Sequence, residues 1–436
     1  MIEHPPWRFA FRCWIALGLA ALSTAASAQD PWPERQRTPN RTARADWVGP
    51  QVPVVVWKTR VDPEEFETQY RANPLLDAEG RLFVVTWRHV TALDSAGGAI
   101  LWQFAAPDWV PWSPSLWRGH LLFGCVDQNF YCLDSATGTE LWRVPDESFP
   151  GGQVVDSAGV VYYRSGHQNI GRRFYARRVV DGSLVWAIDT PVTEREAPSL
   201  SEDESTFFIG RPEWAQWVSR RTSDGSFVWA FQMQRDTYGS SPVENGRVYV
   251  GSPDRHDYCI DASTGQLVWR FSGEFITSNT LALADDGTVY TFHGFGRTKT
   301  FFALNPDGTE KWRIYLDSDY WVDQPPIVAG DGTIYVATRA SVLRLGRVYA
   351  INPDGTILWQ YDFPHYTSAS PTLGPDGTLY VLCRDRNVYA FRDWERAAPT
   401  GLTVLRGLTL SGGLADLTES DDSRLVVRPC FFLTTQ

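Results

Sequence analysis

Aromatic and acidic residues cluster in short segments along this chain, among them "FETQY" (66–70), "DWVPW" (108–112), "DTYGS" (236–240) and "DSDYWVDQ" (317–324). Rings at Trp109, Trp112, Tyr238, Tyr320 and Trp321 could stack on or anchor a ligand, and Asp319 and Asp323 could make polar contacts beside them. Arginines recur in the segments between, at Arg172, Arg255, Arg297 and Arg384. If both sets emerge on one side of the fold, they form a recognition face for a protein segment or a glycan. The plainer alternative is that the aromatics cover the ends of structural units while the charges pair across neighbouring loops.

Covalent and metal chemistry finds less support. The seven histidines are scattered with no His-x-x-x-His pair, and the chain has no Gly-x-Ser-x-Gly elbow and no phosphate-binding glycine loop. Asp-Gly turns such as Asp285-Asp286-Gly287 hold one or two acids and run straight into a strand-like stretch, whereas a calcium loop needs alternating oxygen ligands and a terminal carboxylate. Cys125 and Cys132 face each other if the chain reverses at Gln128-Asn129, which allows a cross-strand disulfide. Cys259 and Cys383 read as small buried residues. No catalytic residue and no metal site is expected on these grounds.

A repeat must position these segments. Gly98 precedes Trp102 by four residues, and the interval recurs from Gly138 to Trp142, Gly182 to Trp186, Gly225 to Trp229, Gly265 to Trp269, Gly308 to Trp312 and Gly355 to Trp359. Alternating with it is a turn followed by a β-rich run, ending at Phe83, Phe123, Tyr162, Phe208, Tyr249, Tyr290, Tyr335 and Tyr380. A third strand such as "FYCLD" or "RVYAIN" lies between each run and the next tryptophan, and a fourth often begins at Ser-Pro. Four short strands in every 40 to 47 residues predict an all-β propeller of four-stranded blades, and eight runs predict eight blades. The last unit lacks its Gly-x-x-x-Trp, while an orphan Trp57 stands before the first. The strand around Trp57 is therefore expected to complete the last blade and close the ring, which removes free sheet edges. Asp and Gly build the tight turns. Trp57, Trp102, Trp142, Trp186, Trp229, Trp269, Trp312 and Trp359 are expected to dock against neighbouring blades.

"CLDSATGTELW" (132–142) and "CIDASTGQLVW" (259–269) resemble the repeat of the pyrroloquinoline-quinone-type propellers, Ala-x-Asp-x-x-Thr-Gly-x-x-x-Trp. The resemblance covers residues 46–396 and implies a propeller there. That family contains quinone-dependent alcohol and sugar dehydrogenases, which carry an adjacent Cys-Cys pair beside the quinone and calcium-binding carboxylates. It also contains cofactor-free binding propellers such as the outer-membrane-protein assembly lipoprotein. This chain has no Cys-Cys dipeptide and little room for insertions, so in character it is closest to the cofactor-free members.

The flanks complete the reading. Arg8 and Arg12, an apolar stretch over residues 13–22 and Ala26-Ser27-Ala28 have the pattern of a cleavable signal peptide over residues 1–28, with no lipobox and too short to span a bilayer. Residues 29–45 are rich in Pro and Arg and are expected to be a flexible lead-in; residues 397–436 read as a short β-rich tail or a truncated domain. A net charge of −11 argues against nucleic acid and anionic lipid as partners. The expectation is a periplasmic or secreted, monomeric, non-catalytic binding or scaffold propeller with no cofactor. The alternative is a quinone-dependent dehydrogenase acting on an alcohol or a sugar.

Overall fold

A computed structural model of the chain describes residues 30–394 apart from 35, 63–71, 147, 168–169, 191–194, 236–240, 274–280, 296–297, 317–319, 323, 341–344 and 368. Residues 1–28 and the tail from 397 lie outside the described residues. Short runs of β-branched and aromatic residues, bounded by Gly, Asp and Asn turns, pair antiparallel into eight sheets. Blade 1 is Leu75–Leu76, Arg81–Thr86, His89–Asp94 and Ile100–Ala105, hydrogen-bonded in that order from the axis outward. Blades 2 to 7 repeat the plan, with innermost strands Ser115–Trp117, Pro150–Val155, Arg195–Leu200, Val243–Glu244, Ala282–Leu283 and Ile327–Val328, and blade 7 adds a fifth short strand, Tyr320–Trp321. Blade 8 consists of Thr372–Leu373, Leu379–Cys383, Asn387–Asp393 and, as its outer strand, Pro53–Arg60. Trp57 lies opposite Ala390 in that pairing, so the first strand of the chain closes the ring.

Second strands are sandwiched between neighbouring blades and bury nearly every residue, as in His120–Cys125. Outer strands such as Ile100–Ala105 alternate between half-buried and exposed positions. The seams explain the four-residue spacing. The Trp102 indole lies over Gly138 of the next blade, where a Cβ would come within 2.5 Å of its ring, and Gly138 has φ +72°. Trp102 Nε1 donates to Ser135 O in the same turn at 3.0 Å. Trp57, Trp142, Trp186, Trp229, Trp269 and Trp312 repeat this contact on Gly98, Gly182, Gly225, Gly265, Gly308 and Gly355. Each glycine thus receives the preceding blade's tryptophan and presents its own to the following one. In the eighth seam Trp359 Nε1 donates at 2.8 Å to Pro50 O, just before the closing strand.

The lead-in is not the flexible segment that its composition suggests. Residues 30–34 and 36–45 form a strap on the face where the tight turns emerge, and they meet blades 1 to 7 in chain order. Trp32 and Leu76 exchange both backbone hydrogen bonds, at 2.9 and 3.0 Å. Leu116, Val155, Leu200, Val243, Leu283 and Val328 then donate their N–H groups to the strap at 2.8–3.0 Å. The physical reason is that an innermost strand has one edge without a strand partner, and its backbone donors need acceptors when buried. Composition is blind to that demand.

Arg41 is fully buried at the axis, with Nε donating to Pro198 O at 3.2 Å and Nη2 to Gln153 O at 2.8 Å. Its charge partner is Glu34, 3.6 Å away and equally buried. Glu34 accepts from Ser115 Oγ at 2.9 Å and from Val155 N at 3.0 Å. A belt of hydrogen bonds continues round the inner strands, from Gln153 Nε2 to Ser113 O, Asn73 N to Ser113 Oγ, Ser370 N to Asn73 Oδ1 and Ser370 Oγ to Pro325 O.

Candidate functional site

The hairpins between second and third strands and the loops leading into the innermost strands emerge together on the face opposite the strap, here called the loop face. Of the residues singled out there by sequence, Tyr238, Asp319, Asp323 and Arg297 lie outside the described residues. Arg172 lies on Ile170–Arg178, and Tyr320 and Trp321 pair with Ala340 and Arg339, but their side chains are likewise outside the description.

Trp109 and Trp112 are held in place by the scaffold. The Trp109 ring stacks on Trp87 with centroids 5.4 Å apart and planes 16° apart. Its loop is pinned between two hairpins, since Val110 N donates to Trp87 O and Val126 N to Trp109 O, both at 2.8 Å. Trp112 lies against Gly151, where a Cβ would fall 2.1 Å from the indole. The Arg164 guanidinium sits 4.9 Å from the centroid of the Trp112 ring and donates through Nη1 to Gly166 O at 2.8 Å. Asp146 accepts from Ser165 Oγ in the same corner. Cation–π stacking of this kind fixes a guanidinium plane with part of its water removed.

Two further arginines pair with rings on this face: Arg211 lies 5.7 Å from the Trp214 centroid, and Arg384 lies 5.3 Å from that of Tyr366. Arg255 is different. It is exposed with φ +77° in a tight hairpin, where Asp254 accepts from His256 N at 3.0 Å and from the Tyr258 hydroxyl at 2.7 Å. The same Asp-to-Tyr bond recurs from Tyr131 to Asp127 and from Tyr389 to Asp385, both at 2.5 Å. These acids shape hairpins. Their Asp-x-x-x-Tyr spacing stands in the sequence and could have identified them.

The cysteine pairing differs from expectation. The turn takes three residues, 126–128, with Gln128 at φ +68°, so Cys125 faces Asn129 and Cys132 faces Leu122. Cys125, Cys132, Cys259 and Cys383 are buried free thiols, and burial pushes Cys125 and Cys132 up to about 12 and Cys259 up to about 11. Between blades 5 and 6, His293 Nε2 and Asp257 Oδ2 are 2.7 Å apart and both residues are buried. Phe271 and Phe302 stand edge-on to that imidazole. The pair clamps two blades together, and scattered single histidines gave no sign of it. Among the described residues, no group of three or more His, Cys, Asp or Glu is arranged to hold a metal, and no helix is long and apolar enough to cross a membrane.

The profile of the family described as outer membrane protein assembly factor BamB matches residues 54–204 and 215–345. The chain belongs to this family. The solved BamB from Moraxella catarrhalis is similar with a TM-score of 0.62 and 18% identity, covering 78% of this chain and 100% of that one. A europium-containing methanol dehydrogenase superposes with a TM-score of 0.67 and 14% identity, covering 83% and 98%. These likenesses establish the fold. Among curated relatives, the dehydrogenase subunit of the quinone alcohol dehydrogenase of Gluconobacter oxydans is 26% identical over 247 residues, 46% of this chain and 31% of the relative. A polyvinylalcohol dehydrogenase from a Sphingopyxis strain is 26% identical over 187 residues, covering 36% and 27%. The chain thus spans about a third of the length of these dehydrogenases.

These relatives overturn the expectation of a non-catalytic propeller without a cofactor, because curated proteins that share this chain's repeats are quinone enzymes. Pyrroloquinoline quinone is planar and carries carboxylates. Arg164 with Trp112, Arg211 with Trp214 and Arg384 with Tyr366 put guanidinium groups and flat rings on the loop face, and guanidinium is the chemistry that meets a carboxylate.

Proposed function

We propose that this propeller is a quinone-dependent dehydrogenase that oxidises the hydroxyl of an alcohol or a sugar on its loop face. The observation that carries the reading is Arg164, only 8% exposed and oriented by Trp112 and Gly166 O. It would hold a cofactor carboxylate, with Trp112 lending planar surface beside it and Arg384 a second cation across the ring. A bound quinone supplies the acceptor for the two electrons released when a hydroxyl becomes a carbonyl. The protein's own part is to bind, orient and keep water from the group. The strap occupies the turn face, where it bonds the innermost strands of blades 1 to 7, so the proposed site is placed on the opposite, loop face. Export to the periplasm or beyond is part of the proposal and rests on the signal-like residues 1–28.

A dye-linked assay tests this. Purified protein incubated with pyrroloquinoline quinone and calcium is expected to reduce an artificial electron acceptor when primary alcohols, polyols or aldoses are added. R164K keeps the charge but loses the planar stack, and it is expected to raise the quinone concentration needed for half-maximal rate by about tenfold. A folded protein that reduces no dye with any of these substrates refutes the reading.

A further inference from the structure

The donors that the strap engages are equivalent positions of the repeat. Leu76, Leu116, Val155, Leu200, Val243, Leu283 and Val328 all pair with the same register position of their second strands. Together they present a ring of backbone groups at the turn-face mouth. In blades 2 to 7 the acceptors are five strap carbonyls and the Glu34 carboxylate. As in peptide addition to a sheet edge, main-chain bonds give affinity and a few side chains fix register, but this segment is turned rather than extended and bonds each blade in turn. Three side chains fix it here. Trp32 is buried against the core of blades 1 and 2, and Glu34 and Arg41 form the axial charge pair. The strap joins the ring through residues 46–52, where Asp46, Val48 and Val52 are exposed.

We propose that the turn-face mouth is a peptide-binding site and that residues 32–43 are its exchangeable resident ligand. The chemistry it recognises is a turned segment, left-handed at Gln36, Arg37, Arg41 and Ala43, that carries an indole, a carboxylate two residues on and a guanidinium seven residues further. The site lies on the face opposite the quinone reading and stands without it.

The test uses the full chain and a fluorescent synthetic peptide of residues 30–46. The R41A chain, whose own strap is weakened, is expected to take up the peptide saturably at one per chain, at least tenfold more tightly than the unaltered chain. A peptide carrying Arg41→Ala should not be taken up. If R41A does not fold, E34Q replaces it with the same readout. A dimer of the unaltered chain that dissociates on adding peptide also supports the proposal, since it would hold exchanged straps. A folded R41A or E34Q chain that takes up no peptide overturns it, as does equal uptake of a scrambled peptide. Failure of both variants to fold also overturns it, because the strap would then be a fixed part of the core.

Discussion

Replacing Trp229 by alanine is expected to cost about 3–5 kcal/mol of folding stability, the range for a large aromatic removed from a core. Trp229 is 8% exposed, lies 5.7 Å from Phe208 and donates through Nε1 to Ala262 O at 2.9 Å. Gly265 lies beneath the indole, where even a Cβ would come within 2.6 Å. Truncation therefore empties a volume that the rigid turn cannot fill and removes the donor from the half-buried Ala262 carbonyl. The control is Trp109→Ala, which removes a half-buried ring from a stacked pair on the loop face. That change is expected to cost about 1 kcal/mol, the worth of an aromatic pair. Denaturant unfolding of both variants measures the contrast, and equal losses would show that seam and loop-face tryptophans do the same work.

Replacing Arg41 by alanine is expected to destabilise the docked strap by about 3–5 kcal/mol, because Glu34 would remain buried without its countercharge. The readout is trypsin cleavage within residues 30–46, which should accelerate by about 10² or more in R41A if cleavage follows the undocked population. Glu34 also sets a pH dependence. Burial raises it from 4.5 to about 7, outweighing the opposing pull of Arg41, Ser115 and Val155 N. The folded chain therefore binds this proton more tightly than the unfolded chain. Its contribution is fully present below about 4.5 and is lost as pH rises to about 7. The unaltered strap should resist trypsin better at pH 5.5 than at pH 8 after correction for the enzyme's own pH profile. In E34Q that difference should shrink; an undiminished difference would assign the titration to another group.

The ring was legible because its determinants are local. A glycine at positive φ and a tryptophan four residues later recur in seven blades, and Trp57 without a partner turn pointed to closure of the eighth by the first strand. The strap was not legible, because Pro31, Pro33, Pro39 and the arginines around them read as loose chain. What orders them is a ring of donors from seven blades, a demand that no local window contains. Cys125 and Cys132 failed for a smaller reason: one left-handed residue, Gln128, lengthened the turn and moved the register. On the loop face, Trp112 was legible as a ring in an acidic segment. Its partner Arg164 comes from the next blade, and only the closed ring brings the two together.

Isothermal titration of the purified chain with pyrroloquinoline quinone in the presence of calcium, alongside R164A, tests the functional account most directly. Saturable binding at one quinone per chain is expected, with R164A folded but weakened by tenfold or more. A folded chain that releases no heat of binding, or an R164A variant that binds as tightly as the unaltered chain, would contradict it.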